Sequence, residues 1–152
     1  MSTEEKKNSQ ISLDSEILSP STEKEVSEIV REIYSKQLPI EITGTGTKKG
    51  FGYNLQTARK LTLSKLSGII DYKKEELYIK VKAGTPIQDI EKILDENNQE
   101  LAFEPIDFGY MINGQSNKGT IGGYVACNFA GSRRFKVGSV RAVSYTHLRA
   151  HE

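Results

Sequence analysis

Two glycine-rich stretches are the parts of this sequence that could do chemistry with backbone atoms. The first runs Gly44-Thr45-Gly46-Thr47-Lys48-Lys49-Gly50-Phe51-Gly52. The second runs Gly119-Thr120-Ile121-Gly122-Gly123-Tyr124-Val125-Ala126-Cys127-Asn128-Phe129-Ala130-Gly131. A residue without a Cβ lets N–H groups approach a phosphate closely, and successive amides can form an anion nest. The second stretch also reads as a helix start, where unpaired N–H groups and the helix dipole favour an anion. Arg133, Arg134, Lys136 and Arg141 follow it and add positive charge. A tight turn beside a solvated basic face would use the same residue types, so these stretches taken alone leave both readings open.

Other chemistries are excluded more firmly. A dinucleotide fingerprint needs G-x-G-x-x-G and then a helix. Here the third glycine, Gly50, comes one residue late, and Phe-Gly-Tyr-Asn is a poor helix start. Gly109 to Ser116 is a near miss to the P-loop, but Gln115 stands where the phosphate-binding lysine must be. The single cysteine, Cys127, lies in an apolar run and reads as a small core residue; no disulfide framework is possible. The two histidines, His147 and His151, are both in the last ten residues. Upstream of them there is no histidine base, nucleophile or metal ligand, and one cysteine cannot build a Cys/His zinc site.

With 21 Lys+Arg against 20 Asp+Glu, the net charge is +1, which argues against a strongly basic nucleic-acid binder. No run of 18 apolar residues could cross a membrane. Met1 to Gln10 is charged where a signal peptide would need an apolar core, so a cytosolic, reducing compartment is expected. The 152 residues suffice for one domain or a piece of a larger protein.

The elements that must position the glycine stretches can be read from periodicity. Ser21 to Lys36 predicts a helix with Val26, Ile29, Val30, Ile33 and Tyr34 as its stripe and a Thr22/Glu25 capping box. Pro39 to Thr43, Lys60 to Ser64 and Leu77 to Ala83 alternate as strands, the last with Leu77, Ile79 and Val81 on one face. Asp71 to Glu76 reads as a polar connection. Thr85 is the expected N-cap of a helix with Pro86 at its first position, Gln88 completing a capping box, and Ile87, Ile90, Ile93 and Leu94 inward. Gln99 to Phe103 suggests a short strand, Glu104 to Lys118 a polar loop, and Ile121 to Asn128 a short buried helix. The order α-β-β-β-α-β-loop-α implies an α+β domain with a mixed sheet and flanking helices.

The two ends stand apart. Residues 1–16 are polar and aperiodic, as expected of a disordered tail. Val143-Ser144-Tyr145-Thr146-His147-Leu148-Arg149-Ala150-His151-Glu152 resembles a translated sequencing adapter, GTC TCT TAT ACA CAT CTC CGA GCC CAC GAG. Residues 143–152 are therefore expected to be non-native, and residues 17–142 to be the N-terminal part of a longer domain.

The run T-G-T-G-T, then V-K-A-G-T-P, then E-P, then G-T-I-G-G-x-V-A-x-N-x-A-G-x-R-R, then G-S-V-R resembles the FAD-binding domain of the vanillyl-alcohol-oxidase/p-cresol-methylhydroxylase superfamily. Within it, the chain is most similar to the family of glycolate oxidase FAD-binding subunits, from about Leu18 to Arg141. The resemblance implies a truncated α+β domain that holds FAD between two halves. Gly44, Thr45, Gly46 and Thr47 match the first pyrophosphate loop, and Gly119, Thr120, Gly122 and Gly123 the second. Gly84 and Thr85 match the turn beside the flavin, and Gly138, Ser139, Val140 and Arg141 a segment usually followed by Asp. Ala142 occupies that Asp position. Members with covalent FAD carry a histidine in the first loop; this chain has Thr47, Lys48 and Lys49 there, so non-covalent FAD is implied.

The resemblance further implies hydride transfer from glycolate, a small 2-hydroxy acid, to FAD, giving glyoxylate. It also implies partnership with a paralogous flavoprotein subunit and an iron–sulfur subunit, in the cytoplasm or peripheral at the inner membrane through that complex. No catalytic residue can be named, and the 152-residue chain by itself is expected to be inactive and to bind FAD weakly or not at all. Three other readings use the same residues: a D-lactate dehydrogenase-like or alditol oxidase-like flavoprotein, a non-catalytic flavin-holding subunit, and a plain phosphate-binding or structural module.

Overall fold

The computed structural model describes residues 16–50, 53 and 55–148. The expected disordered tail falls, apart from Glu16, outside them, as do Phe51 and Gly52 of the first glycine stretch and the last four residues of the expected adapter tail.

Three very short strands form a parallel sheet in the order β1 (Ile17–Leu18), β3 (Lys60–Thr62), β2 (Glu41–Thr43). Leu61 sits at its centre, level with Leu18 on one side and Ile42 on the other. Helix α1 (Glu23–Ser35) begins at Thr22, whose hydroxyl accepts from the Glu25 N–H at 3.2 Å. The Glu25 carboxylate reaches back to the Ser21 N–H at 2.8 Å, one residue earlier than the ordinary reciprocal arm of the capping box. The predicted stripe is wider than the one that is used. Ile29 and Ile33 are buried against Leu18 and Leu61, while Val30 and Tyr34 are exposed. A sheet only two or three residues deep covers one i, i+4 ridge of the helix and leaves its flanks in water.

A second, two-stranded antiparallel sheet pairs β4 (Ile69–Lys73) with β5 (Tyr78–Val81). Asp71 to Lys73, read as connection, is thus strand; the pairing satisfies its backbone although its side chains are polar. The connection is the single 3-10 turn Lys74–Glu76. Leu77, expected in the strand, takes a left-handed conformation (φ 53°) to close that turn, and its side chain is exposed. The mixed strand directions expected of one sheet are therefore divided between two small sheets.

Helix α2 (Ile87–Asp95) buries Ile87, Ile90 and Leu94. Its N-cap is Pro86, not Thr85. The Thr85 hydroxyl instead donates to the Lys82 carbonyl at 2.6 Å and accepts from the Gly68 N–H at 3.0 Å, tying the end of β5 to the start of β4. Gln99 to Phe103 forms no strand, and the long loop contains helix α3 (Phe108–Asn113), capped by Asp107 on the Tyr110 N–H. Helix α4 (Ile121–Cys127) ends at Asn128, left-handed at φ 53°, close to the predicted bounds, but it is not a buried helix. Tyr124 is its one buried residue, and Cys127, expected in the core, is exposed because it faces away from the ring packing around Tyr124. Two further helices follow, α5 (Arg134–Val137) and α6 (Val140–Leu148). Helix α6 runs through the point where the adapter tail is expected to begin. The second core packs Ile87, Phe103, Phe108, Tyr124 and Val140 between α2, α3, α4 and α6.

Candidate functional site

The loop that leaves β2 meets the loop that enters α4. Thr43 to Lys49 from the first, and Thr120, Gly123, Ala126 and Cys127 from the second, line one open cavity of about 580 Å³. Local backbone bonding aims both loops. In the first, the Leu63 N–H donates to the Thr43 carbonyl at 3.0 Å, and Gly46 (φ 77°) turns the chain so that the Lys49 N–H reaches the Gly46 carbonyl at 3.2 Å. In the second, the Ile87 N–H donates to Gly119 O (2.9 Å), Ile121 N–H to Thr85 O (3.0 Å) and Gly122 N–H to Ala83 O (2.9 Å). The second loop is thus stitched along residues 83–87.

The glycines are required by how closely these segments approach. A Cβ on Gly44 would lie 2.5 Å from the Thr120 hydroxyl, and one on Gly119, whose φ is +84°, 2.6 Å from the Thr47 hydroxyl. A Cβ on Gly122 would lie 2.7 Å from the Ala83 carbonyl oxygen, and one on Gly84 would overlap the Leu63 carbonyl oxygen. Thr120, buried, caps α4 by accepting from the Gly123 N–H at 3.4 Å.

The structure sorts the residues singled out in the sequence. Gly44, Thr45, Gly46, Thr47, Thr120 and Gly123 share the cavity wall. Gly119 stands against it through Thr47 and Lys48, whereas Gly122 packs against Ala83, which is not on the wall. Gly84 and the buried Thr85 lie behind the second loop and brace it. Gly138, Ser139 and Val140 are not on the cavity wall. Gly138 and Ser139 lead into α6, and Val140 packs into the second core.

The basic residues divide differently from what the sequence suggests. Arg133 forms ion pairs with Glu100 (2.9 Å) and Glu104 (3.2 Å). The Arg141 guanidinium donates to the Val125 and Ala126 carbonyls at 2.8 and 2.5 Å, neutralising the C-terminal end of α4. Arg134 and Lys136 are exposed on α5. None of the four lines the cavity. The cation at the meeting of the loops is Lys48, which no motif in the sequence selects. Its ammonium lies 4.1 Å from the centroid of the Tyr124 ring and 5.3 Å from that of Phe108. Cation–π contacts of this kind contribute about 0.5–2 kcal/mol, more as the site dries. Burial lowers the Lys48 pKa below the usual lysine value, opposed by the neighbouring Cys127 thiol. Its chain neighbour Lys49 is instead paired with Glu41 at 2.9 Å. No sequence signal separates Lys48 from Lys49; the difference is which face of the loop each occupies.

Tyr124 is the platform for that lysine. It is 1% exposed, its hydroxyl donates to the Ile106 carbonyl, and its ring packs 6.0 Å from Phe103 and 6.2 Å from Phe108. Burial pushes its phenol well above the ordinary tyrosine value.

Two glycine-rich segments thus converge on one cavity, with a half-buried cation between them. The family described as FAD binding domain matches residues 15–145, and the chain belongs to that family. It is 36% identical over 114 residues to glycolate oxidase subunit GlcE of Escherichia coli (strain K12), a match that covers 75% of this chain and 30% of that protein. The chain thus spans less than a third of that relative's length. Two solved structures of alkyldihydroxyacetonephosphate synthase share the fold: one with TM-score 0.60 at 17% identity, the other with 0.61 at 18%. Each match covers 83% of this chain and 23% of the synthase. No helix among the described residues is long and apolar enough to cross a membrane, and no group of His, Cys, Asp and Glu there could hold a metal ion.

Proposed function

We propose that this chain holds the dinucleotide end of FAD, non-covalently, within a 2-hydroxy-acid oxidoreductase of glycolate oxidase type. The observation that carries the reading is the shared cavity. Two glycine loops distant in sequence wall it together, and a side chain at Gly44 or Gly119 would fill the approach between them. Such a cradle fits a diphosphate, which backbone amides hold at close approach. The amides of residues 44–47 and of Thr120 hold the diphosphate, while those of Gly119, Ile121, Gly122 and Gly123, bonded to Asn117, Thr85, Ala83 and Thr120, fix the second loop against Gly84 and Thr85. Gly138, Ser139 and Val140 enter this reading through the family resemblance, since they are not on the cavity wall.

Bound FAD supplies the hydride acceptor for the α-carbon of glycolate, giving glyoxylate; the protein contributes binding and orientation. No histidine stands in the first loop to attach the flavin. The relative's name makes it one part of a larger oxidase; the family resemblance adds that the chain works beside a paralogous flavoprotein subunit and an iron–sulfur subunit, in the cytoplasm or peripheral at the inner membrane through that complex. The functional unit is residues 17–142, and residues 143–152 derive from an adapter. Re-reading the source DNA across codon 142 should yield Asp and a continuing frame; the same ten codons and a stop would refute that boundary.

The protein expressed from its complete gene should purify yellow and release all its flavin, as FAD, on acid denaturation. Flavin retained by the denatured chain would refute the non-covalent link, and colourless protein that takes up no FAD would refute the assignment. Glycolate should bleach the flavin absorbance faster than D-lactate does. The reverse order would move the protein to the D-lactate dehydrogenase-like reading. Bleaching only when partner subunits are present would make this a flavin-holding subunit.

A further inference from the structure

We infer that Lys48 is the side chain that binds the diphosphate of the dinucleotide, its ammonium held over Tyr124 at the junction of the two glycine loops. The inference rests on the FAD-binding reading and adds to its backbone cradle a formal positive charge at the junction of the two loops.

Three observations converge on it. The first is position. The Lys48 Nζ lies 3.0 Å from where a Cβ would stand on Gly119 and 3.6 Å from where one would stand on Gly123. It therefore occupies the space that those glycines keep open, beside the hydroxyls of Thr47 and Thr45, which flank the same point at Gly119. The second is the absence of a counter-charge. Among the described residues no carboxylate forms an ion pair with Lys48, whereas Lys49 is paired with Glu41, and Lys118, next to Gly119 in the chain, with Glu91 at 2.7 Å. A lysine normally buries its methylenes and leaves its ammonium in water. This ammonium is half-buried, and burial lowers its pKa. A bound anion would remove that penalty.

The third is rigidity. The Tyr124 ring is tied by its hydroxyl to Ile106 and packed by Phe103 and Phe108, so the cation rests on a ring held by contacts on several sides. A compact ammonium with rotatable donors suits phosphate oxygens as a point charge, without the bidentate geometry that arginine would impose. Ring faces attract the cation without neutralising it, so its charge stays available to the ligand.

The test compares the complete gene product with Lys48→Met and Lys48→Arg, titrating FAD, ADP and riboflavin by calorimetry and monitoring melting temperature. Loss of one charge-assisted contact should weaken FAD and ADP binding about 10- to 100-fold. Riboflavin, which has no phosphate, should bind within about two-fold of the parent, and Lys48→Arg should recover part of the loss. Should methionine lower the melting temperature, Lys48→Gln reads the same change. Unchanged FAD and ADP affinity in the variants would overturn the inference and leave the FAD reading standing. A parallel loss of riboflavin would also overturn it, since Lys48 would then act on the ring system. A parent protein that binds neither FAD nor ADP would overturn the FAD reading itself, and the inference with it.

Discussion

Lys48 and Arg133 are both cations beside a glycine-rich segment, and the molecule treats them in opposite ways. Arg133 lies on the surface and is fully matched. Its guanidinium pairs with Glu100 and Glu104, and its own N–H donates to Glu104 at 3.0 Å. Lys48 is half-buried, faces two aromatic rings, and is paired with no carboxylate of the described residues. A cation that has already been neutralised has little left to offer a ligand. One that has been partly dried and left unmatched will pull an anion towards it. Positive charge in a sequence therefore says little about anion binding until the partners of each residue are known.

The comparison can be broken most directly by giving Lys48 the carboxylate it lacks. Cys127 lines the same cavity close enough to influence Lys48. Cys127→Asp should neutralise the lysine and repel the diphosphate, lowering FAD affinity about 100-fold or more by titration. The platform comes next. Tyr124→Phe keeps the ring under Lys48 and removes the hydroxyl's bond to the Ile106 carbonyl, which still accepts from the Phe108 N–H, so the loss should be about 0.5–1.5 kcal/mol in urea unfolding.

The same variant has a pH signature. The phenol's folded-state pKa is raised above the ordinary value of 10.0. Its contribution is therefore fully present below pH 10.0 and is lost as pH climbs from there towards the folded value. The parent should lose stability in that alkaline window, and the Phe variant should lose less.

Gly84→Ala probes the scaffold behind the second loop. Its Cβ would overlap the Leu63 carbonyl and stand 2.8 Å from that of Leu66. The backbone must shift, at a cost of about 1–3 kcal/mol, and FAD affinity should fall as the loop moves. Arg133→Met sharpens the comparison from the other side. It should leave FAD affinity within about two-fold and lower the melting temperature slightly, as expected of an exposed ion pair. An effect on FAD as large as that of Lys48→Met would dissolve the distinction between the two cations.

The smallest effect is expected at Glu104. Hydrogen bonds from the Arg133 N–H and the Ser132 hydroxyl, with the Arg133 charge behind them, lower its pKa from the usual 4.5. Its stabilising contribution is thus complete above pH 4.5 and lost as pH falls through the lower folded value. Glu104→Gln should flatten that acid limb by giving up the same small contribution at neutral pH, read by urea unfolding on both sides of pH 4.5.

What is legible in the sequence is mostly what neighbours in sequence decide. Helix α1, its Thr22 cap and the inward residues Ile29 and Ile33 follow from periodicity, as does α4 with its end at Asn128. The misses have a common physical origin. Asp71 to Lys73 is strand because β5 pairs with it, although Asp71 and Lys73 are polar. Thr85 gives up the helix cap because Lys82 and Gly68 offer its hydroxyl partners across a turn. Arg141 reads in sequence as an anion-binding cation and instead neutralises carbonyls at the end of α4, a role visible only once α6 is placed against it.

By itself, the sequence determined the two glycine stretches, the α+β class, the absence of a histidine in the first loop, and the family resemblance. These are properties of residue type and local spacing. Only the tertiary structure decided that the two stretches share one cavity, that Lys49 and Arg133 are matched by Glu41, Glu100 and Glu104, and that Lys48 rests on the Tyr124 ring. The reason is that a charge is available or spent according to what lies within a few ångströms of it. For Lys48, those neighbours come from a part of the chain that only folding brings near.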